Sequence, residues 1–165
     1  MEKELCTFCL KLKTPIRCDE CGVPTCKHCT SFTDESSFKF SEFLPEKLID
    51  KAFCPNCYDD GISDELGVFQ SALARAGQVD VFEKNQGKET RLMRRLEEPV
   101  EVKDYPDREG ALLYLAFQAA LKGFNILVDV DLKSKKVSGG GKYKKLVWSG
   151  RGTPMAARTY RPKTR

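Results

Sequence analysis

All eight cysteines of the chain lie between positions 6 and 57, in pairs whose members are separated by two residues. The pairs are Cys6/Cys9, Cys18/Cys21, Cys26/Cys29 and Cys54/Cys57. Thiolates bind zinc in tetrahedral sites of four ligands, and the two-residue spacing lets both sulfurs of a pair reach one ion. The four pairs therefore predict two Zn2+ ions per chain, with every cysteine as a ligand.

A secreted domain crosslinked by disulfides is the other interpretation of such cysteines. The N-terminal sequence has no apolar run behind a basic patch, so it does not resemble a secretory signal. The longest apolar stretch, residues 111–121, is about half the ~20 residues that a membrane span needs. We therefore expect a cytoplasmic protein with no transmembrane segment, whose reduced thiols bind metal.

The spacing of the pairs leaves open how the metal ions are shared. In a sequential arrangement, the first two pairs bind one ion and the last two bind the other. In a cross-braced arrangement, the first pair shares an ion with the third, and the second shares one with the fourth. The short link GVPT at 22–25 suits a hairpin that takes the chain directly from one site to the other.

The run at 18–29, CDECGVPTCKHC, resembles the centre of FYVE-type double zinc fingers, C-x-x-C-G-x-x-x-C-x-x-C with one more pair on each side. The resemblance covers residues 1–58 and implies a treble-clef-like scaffold with cross-braced ligands. Cys6/Cys9 would then share an ion with Cys26/Cys29, and Cys18/Cys21 with Cys54/Cys57. Lipid-binding members carry a basic, histidine-rich run before the second pair. Residues 13–17 read KTPIR and contain no histidine, so the resemblance does not imply lipid binding for this chain.

RING-type ubiquitin ligases are the other cross-braced family, and the fourth pair is compatible with either. RING sequences usually place a histidine in the middle of the ligand series. The single histidine here, His28, lies inside the third pair, either as a ligand that replaces Cys29 or as a turn residue facing solvent. Because eight cysteines already fill two sites, we favour the second role.

The segment between the third and fourth pairs turns from polar to amphipathic. We expect Phe38, Phe40 and Phe43 to pack on the metal scaffold, because a unit of about sixty residues has a marginal core of its own. A protruding aromatic loop for a partner or a membrane is the alternative. Pro45 suits the first turn of a short helix over residues 46–52.

Three segments are expected from the end of the cysteines and from Gly61: a two-zinc finger domain at 1–60, an α+β domain at 61–152 and a basic tail at 153–165. Apolar residues at helical spacing predict a helix that begins near Ser63 and stops at Gly77. Alternation at Val79/Val81 and at Val100/Val102 predicts two strands.

The clearest elements come next. Asp107 can cap a helix that runs to about Lys122, and the centre of this helix is apolar nearly all round. Residues 124–132 predict a strand whose even-numbered apolar residues share one face, and residues 143–148 predict an antiparallel return strand. We therefore expect an α+β fold in which a buried helix packs on an antiparallel sheet, after a small two-zinc cross-braced finger.

Residues 109–130, with GFNILV at the helix-to-strand step, are similar to the YbjQ-like family of small α+β proteins. The sequence SGRGT at 149–153 is similar to that family's closing strand. The resemblance implies a fold and homo-oligomeric assembly through this domain, with no activity attached.

The net charge of +4 hides an asymmetry, since residues 133–165 carry 11 basic and no acidic side chains. Basic side chains with aromatics among them suit a phosphate backbone with stacked bases. An ordinary solvated hairpin with a loose tail is the alternative. The candidate residues for nucleic acid or an acidic partner are Lys142, Lys144, Lys145, Trp148, Arg151, Arg158 and Arg161.

No catalytic motif stands out in the sequence, which lacks a G-x-S-x-G elbow and a phosphate-binding glycine loop. Asp129 and Asp131 could hold a metal or form a solvated strand face. We therefore expect a non-enzymatic, zinc-binding recognition or scaffold protein with a protein partner. A nucleic-acid-binding protein that uses the basic end and a RING-like ubiquitin ligase are the alternatives.

Overall fold

The computed structural model describes residues 4–13, 15–88, 90–138 and 144–156. The chain divides into two compact units, Met1–Phe69 and Gln70–Arg165. The division falls inside the helix α2 (Ser63–Ala76), which follows the single-turn helix α1 (Pro55–Cys57), whereas we expected it after residue 60.

In the described part of the first unit, three antiparallel two-stranded ribbons are present. The first two ribbons each enclose a cysteine pair, and the third joins the chain after Cys29 to the chain before Cys54. Their strands are β1 (Glu4–Leu5) with β2 (Leu12–Lys13), β3 (Ile16–Arg17) with β4 (Pro24–Thr25), and β5 (Ser31–Thr33) with β6 (Lys51–Phe53).

The core of the first unit contains cysteines as well as apolar side chains. Leu48 and Phe53 are fully buried and cluster with Cys18 and Cys54. Phe38 packs against this cluster, as expected for the aromatic segment. The remaining buried members of the cluster are Leu44, Ile62 and Leu66.

The prediction of a helix over residues 46–52 is wrong. One helical turn, Glu46–Leu48, follows Pro45. Asp50 then adopts a left-handed conformation with φ 50°, and the chain enters β6, which pairs with β5. Pairing with a distant strand has therefore overridden the local helical pattern.

The described residues of the second unit form a four-stranded sheet with one helix packed on it, so the expected α+β class is confirmed. Its elements are β7 (Asp80–Glu83), β8 (Val100–Tyr105), α3 (Arg108–Leu121), β9 (Ile126–Ser138) and β10 (Lys144–Met155). The strands lie in the order β7-β9-β10-β8, and α3 connects β8 to β9. The pair β9–β10 is antiparallel as expected, but β7 runs parallel to β9, so the sheet is mixed.

Helix α3 begins and ends as the sequence predicts. The Asp107 carboxylate accepts a hydrogen bond from the Gly110 N–H at 2.6 Å, and Gly123 follows the helix at φ 84°. Its buried side chains Ala111, Leu115 and Ala119 pack into one cluster with residues of β8 and β9.

Strand β9 contains one extra residue opposite β10. The pairs Asp131–Arg151 and Val128–Thr153 enclose two residues on β9 but one on β10, and Asp129 has a left-handed φ of 54°. This bulge shifts the alternation of side chains, so that Leu127 and Val130 join the same core cluster. The expectation that the even-numbered apolar residues of this strand share one face is therefore wrong for the residues before Val130.

Strand β10 extends to Met155, so residues 153–155 belong to the sheet and not to the tail. Thr153 and Pro154 are buried. Among the described segments, no helix combines the length and the apolar character needed to cross a membrane.

Candidate metal centre

The eight cysteines gather into two groups of four, and the pairs alternate between the groups. One group is Cys6, Cys9, Cys26 and Cys29, and the other is Cys18, Cys21, Cys54 and Cys57. Within each group all four sulfur atoms lie within 4.8 Å of one another, so each group could hold a metal ion. The first pair is therefore grouped with the third and the second with the fourth, which is the cross-braced arrangement.

The first two pairs have the same local geometry. The N–H of Leu10 donates to the Cys6 carbonyl at 2.9 Å, and the N–H of Gly22 donates to the Cys18 carbonyl at 2.8 Å. Leu10 and Gly22 follow the second cysteine of their pairs and are both left-handed, with φ of 56° and 72°. This tight turn directs the two sulfurs of each pair toward one point.

Strand β4 links the two groups. It is a two-residue strand, Pro24–Thr25, between Cys21 of one group and Cys26 of the other. Thr25 is buried, and its hydroxyl donates to the Ile16 carbonyl at 3.0 Å. The direct passage from one site to the other thus matches the role expected for the 22–25 link.

The sulfur separations fit a tetrahedral ion. The Sγ atoms of Cys9 and Cys26 lie 3.6 Å apart, and those of Cys21 and Cys54 lie 3.8 Å apart. Four sulfurs placed ~2.3 Å from a central ion in tetrahedral geometry lie about 3.8 Å from one another. A disulfide would bring two sulfurs to about 2.05 Å. The donor set and its spacing therefore fit metal coordination.

Backbone N–H groups favour the ionised form of at least one cysteine in each group. Hydrogen bonding from the Cys9 N–H is the main cause that lowers the pKa of Cys6 to about 6. The Cys26 N–H also donates to the Cys6 sulfur, at 3.3 Å. Burial raises the pKa of Cys18, but N–H donors, that of Cys21 first, outweigh burial and bring the value to about 6.

The opposite shift affects another cysteine of each group. Burial and the neighbouring thiol of Cys26 raise the pKa of Cys29 to about 12. Hydrogen bonding with the Cys21 and Cys54 thiols raises the pKa of Cys57. Each group thus holds at least one sulfur that ionises readily and at least one that resists ionisation until a cation offsets the accumulated negative charge.

His28 is exposed and belongs to neither sulfur group. This placement agrees with the role of a turn residue facing solvent. Cys29, which His28 could have replaced, is itself a member of the first group.

Asp129 and Asp131 are both engaged in ion pairs. Arg95 binds Asp129 with Nε–Oδ2 at 2.7 Å, while Lys84 and Lys133 lie 3.7 and 3.5 Å from Asp131. Neither aspartate belongs to a metal-ligating group among the described residues. Sequence reasoning missed the Arg95 partner, because 34 positions separate it from Asp129 and no local pattern joins them.

The residues predicted to bind nucleic acid are only partly brought together. Lys145 and Arg151 fall on one side of β10 by strand alternation, and Lys144 and Trp148 fall on the other. Trp148 packs against the α3 core cluster, so its ring is not a free stacking platform. Lys142, Arg158 and Arg161 lie outside the described residues. Three basic residues of the facing strand, Lys133, Lys135 and Lys136, were missing from the predicted set and lie opposite Ser149, Val147 and Leu146.

No protein-family model matches this chain, and searches of curated proteins and of solved structures return no match.

Proposed function

We propose that this chain is a zinc-binding, non-enzymatic protein whose first unit holds two Zn2+ ions and acts as a scaffold for recognition. The interleaving of four cysteine pairs into two groups of four sulfurs carries this proposal. Tetrahedral sets of four thiolates are typical of zinc, with iron as the chemical competitor.

A structural role for the ions follows from the ligand count. Catalytic zinc sites usually keep a position open for water or substrate, whereas four protein ligands close the tetrahedron. Each group supplies four sulfurs, so neither has a vacant position for a reacting molecule. Two of these sulfurs, on Cys18 and Cys54, also belong to the hydrophobic core, and metal binding therefore stabilises the packing of the whole first unit.

A recognition role is supported by apolar side chains exposed around the first cysteine pair. Leu5 and Leu12 face each other across β1 and β2 and are 58% and 61% exposed. Leu10, on the turn between them, is 73% exposed. Exposed apolar clusters of this kind are typical of interaction surfaces, and we propose a protein partner for this one. Proximity labelling should recover partners with the wild type that a Leu5→Ser/Leu12→Ser variant loses at unchanged metal content. Identical partner sets would contradict this role.

The family resemblances remain proposals. The cross-braced grouping supports a FYVE-type scaffold, and four cysteine pairs fit it better than they fit a RING finger. A ubiquitin-transfer panel with purified conjugating enzymes tests the RING alternative, and transfer by any of them would replace the proposal. For the second unit we propose YbjQ-like assembly, which light scattering should reveal as a homo-oligomer. We also propose a reducing, cytoplasmic location, where eight thiols stay available to metal.

The metal itself is tested by elemental analysis of the purified chain. We expect two zinc ions per chain, and a His28→Ala control should keep both. Replacement by Co2+ should give the visible absorption of tetrahedral thiolate coordination. About one ion per chain, a predominance of iron, or a folded metal-free protein would overturn the proposal.

A further inference from the structure

The β9–β10 hairpin extends beyond its neighbours. Strand β7 pairs with β9 only as far as Val130, and β8 pairs with β10 only as far as Trp148. Past these points, residues 132–138 pair only with β10, and residues 144–147 pair only with β9, among the described residues. We call this two-stranded part the basic ribbon.

Lysines occupy both faces of the basic ribbon. In the β9–β10 register, Lys135 lies opposite Val147 and Lys145 lies opposite Val137, so both project from the same face as Lys133. Lys136, opposite Leu146, and Lys144, opposite Ser138, project from the other face. Neither strand of the ribbon contains an acidic residue.

The charge of the ribbon is largely unneutralised. Lys133 lies 3.5 Å from Asp131. No other ribbon lysine has a carboxylate within ion-pair distance among the described residues. A projecting element with four unpaired positive charges creates a strong local positive potential, which attracts polyanions.

The shape of the ribbon selects among polyanions. Two paired strands lie ~4.8 Å apart, and the major groove of B-DNA, about 12 Å wide, admits such a ribbon. Phosphate backbones form both walls of the groove, so lysines on opposite faces can reach opposite walls. A flat acidic protein surface would meet the lysines of one face only.

We propose that the basic ribbon binds duplex DNA in its major groove, without sequence specificity, through lysine contacts to phosphates. Trp148 and Arg151 are not required, since they lie outside the ribbon. This surface is independent of the metal sites, so its failure would leave the zinc proposal intact, and loss of metal would not by itself argue against it.

A salt titration of binding to a labelled DNA duplex of about two helical turns tests the proposal by fluorescence anisotropy. The ribbon variant is Lys135→Ala/Lys136→Ala/Lys145→Ala. The control is Lys88→Ala/Lys103→Ala/Lys122→Ala, which removes the same charge from exposed lysines of the second unit outside the ribbon. Each lost phosphate contact lowers the slope of log K against log salt by about 0.9. The magnitude of the slope should therefore be smaller by about 2.7 for the ribbon variant, and its affinity for the duplex at least tenfold lower. The control should keep a slope and an affinity close to those of the wild type.

Several results would overturn the proposal. The proposal fails if the wild-type protein does not bind the duplex, or if the ribbon variant and the control lose the same affinity. It also fails if poly-glutamate competes for the protein as well as unlabelled duplex DNA does. A third variant, Arg158→Ala/Arg161→Ala/Lys163→Ala, separates the ribbon from the basic C-terminal end. If that variant alone loses binding, the ribbon is not the site. Circular dichroism and metal content confirm that each variant is folded.

Discussion

Arg95 fastens the segment before β8 to the bulge of β9 through Asp129. Its Nε and Nη2 atoms donate to the two carboxylate oxygens at 2.7 and 2.9 Å. The same guanidinium donates through Nη1 to the carbonyls of Thr90 and Met93, at 2.9 and 2.7 Å. A segment with no helix or strand of its own is thereby held against the sheet.

Replacing Asp129 with asparagine should remove the charge that binds Arg95 and destabilise the second unit. Both side chains are about one-third exposed (34% and 37%), so solvent screens the pair, and we expect a loss of about 1 kcal/mol in the free energy of unfolding. Urea unfolding followed by fluorescence of Trp148, the single tryptophan, measures it.

This effect should depend on pH. Hydrogen bonding from Arg95 lowers the pKa of Asp129 in the folded protein. The stabilisation is therefore present above the unfolded-state pKa of about 3.9 and is lost as the pH falls through the lower folded-state value. The difference between wild type and Asp129→Asn should vanish in acid. Asp80→Asn, at an exposed strand position, is the control for the loss of one carboxylate and should leave the stability near that of wild type. A constant difference at all pH values would contradict this account.

Replacing Cys54 with serine should empty one metal site. We expect one ion per chain, rapid alkylation of Cys18 and Cys21, and protection of Cys26 and Cys29, because the last two belong to the other group. Mass spectrometry of the alkylated peptides distinguishes the outcomes. Exposure of Cys26 and Cys29 in place of Cys18 and Cys21 would show that the sites are sequential.

Leu10 adopts a left-handed backbone conformation, which glycine adopts more easily than leucine does. Its φ of 56° matches the 72° of Gly22, its counterpart in the second pair. A left-handed conformation costs a non-glycine residue about 1–2 kcal/mol. Because glycine loses more chain entropy on folding, Leu10→Gly should give a net gain of up to about 1 kcal/mol in the stability of the metal-loaded first unit. Chelator-induced unfolding tests this, and a loss of stability would show that Leu10 packs in the folded state.

Gly150 lies where β10 passes close to β9. A Cβ atom built there would meet the Asp131 carbonyl oxygen at 2.1 Å, which is backbone and cannot move aside alone. Gly150→Ala should therefore destabilise the second unit by about 1–3 kcal/mol. Gly77→Ala, whose Cβ would meet nothing closer than the Ala74 carbonyl oxygen at 3.9 Å, is the control in the same unit and should be nearly neutral. Equal thermal shifts in the two variants would refute the close-approach explanation.

The cysteine positions predicted two sites because ligand chemistry is local: a two-residue spacing brings two sulfurs together whatever the rest of the chain does. Which pairs meet depends on the folding of the intervening chain. That choice rested on a resemblance before the sulfur positions were known, since loop length alone allowed either arrangement. The cap at Asp107 and the stop at Gly123 were predictable for the same reason as the paired sulfurs.

Features that depend on contacts between distant residues could not be predicted from the sequence. The left-handed residue at Asp129 shifts the face of every earlier residue in β9, and nothing in the local pattern marks it. Strand β6 follows from pairing with β5, and the parallel pairing of β7 follows from the crossover through β8 and α3. The basic ribbon could be seen only once the ends of β7 and β8 were known.

Because the cysteine pairs of the two groups alternate along the chain, the order in which they are synthesised conflicts with the way they are grouped in the folded protein. The first four cysteines to leave the ribosome, Cys6, Cys9, Cys18 and Cys21, belong half to one site and half to the other. During synthesis they form a complete set of four thiolates before any native set exists. An ion bound by those four would have to change partners when Cys26 and Cys29 emerge, so early metal capture would make correct assembly depend on exchange of the metal as well as on folding of the chain.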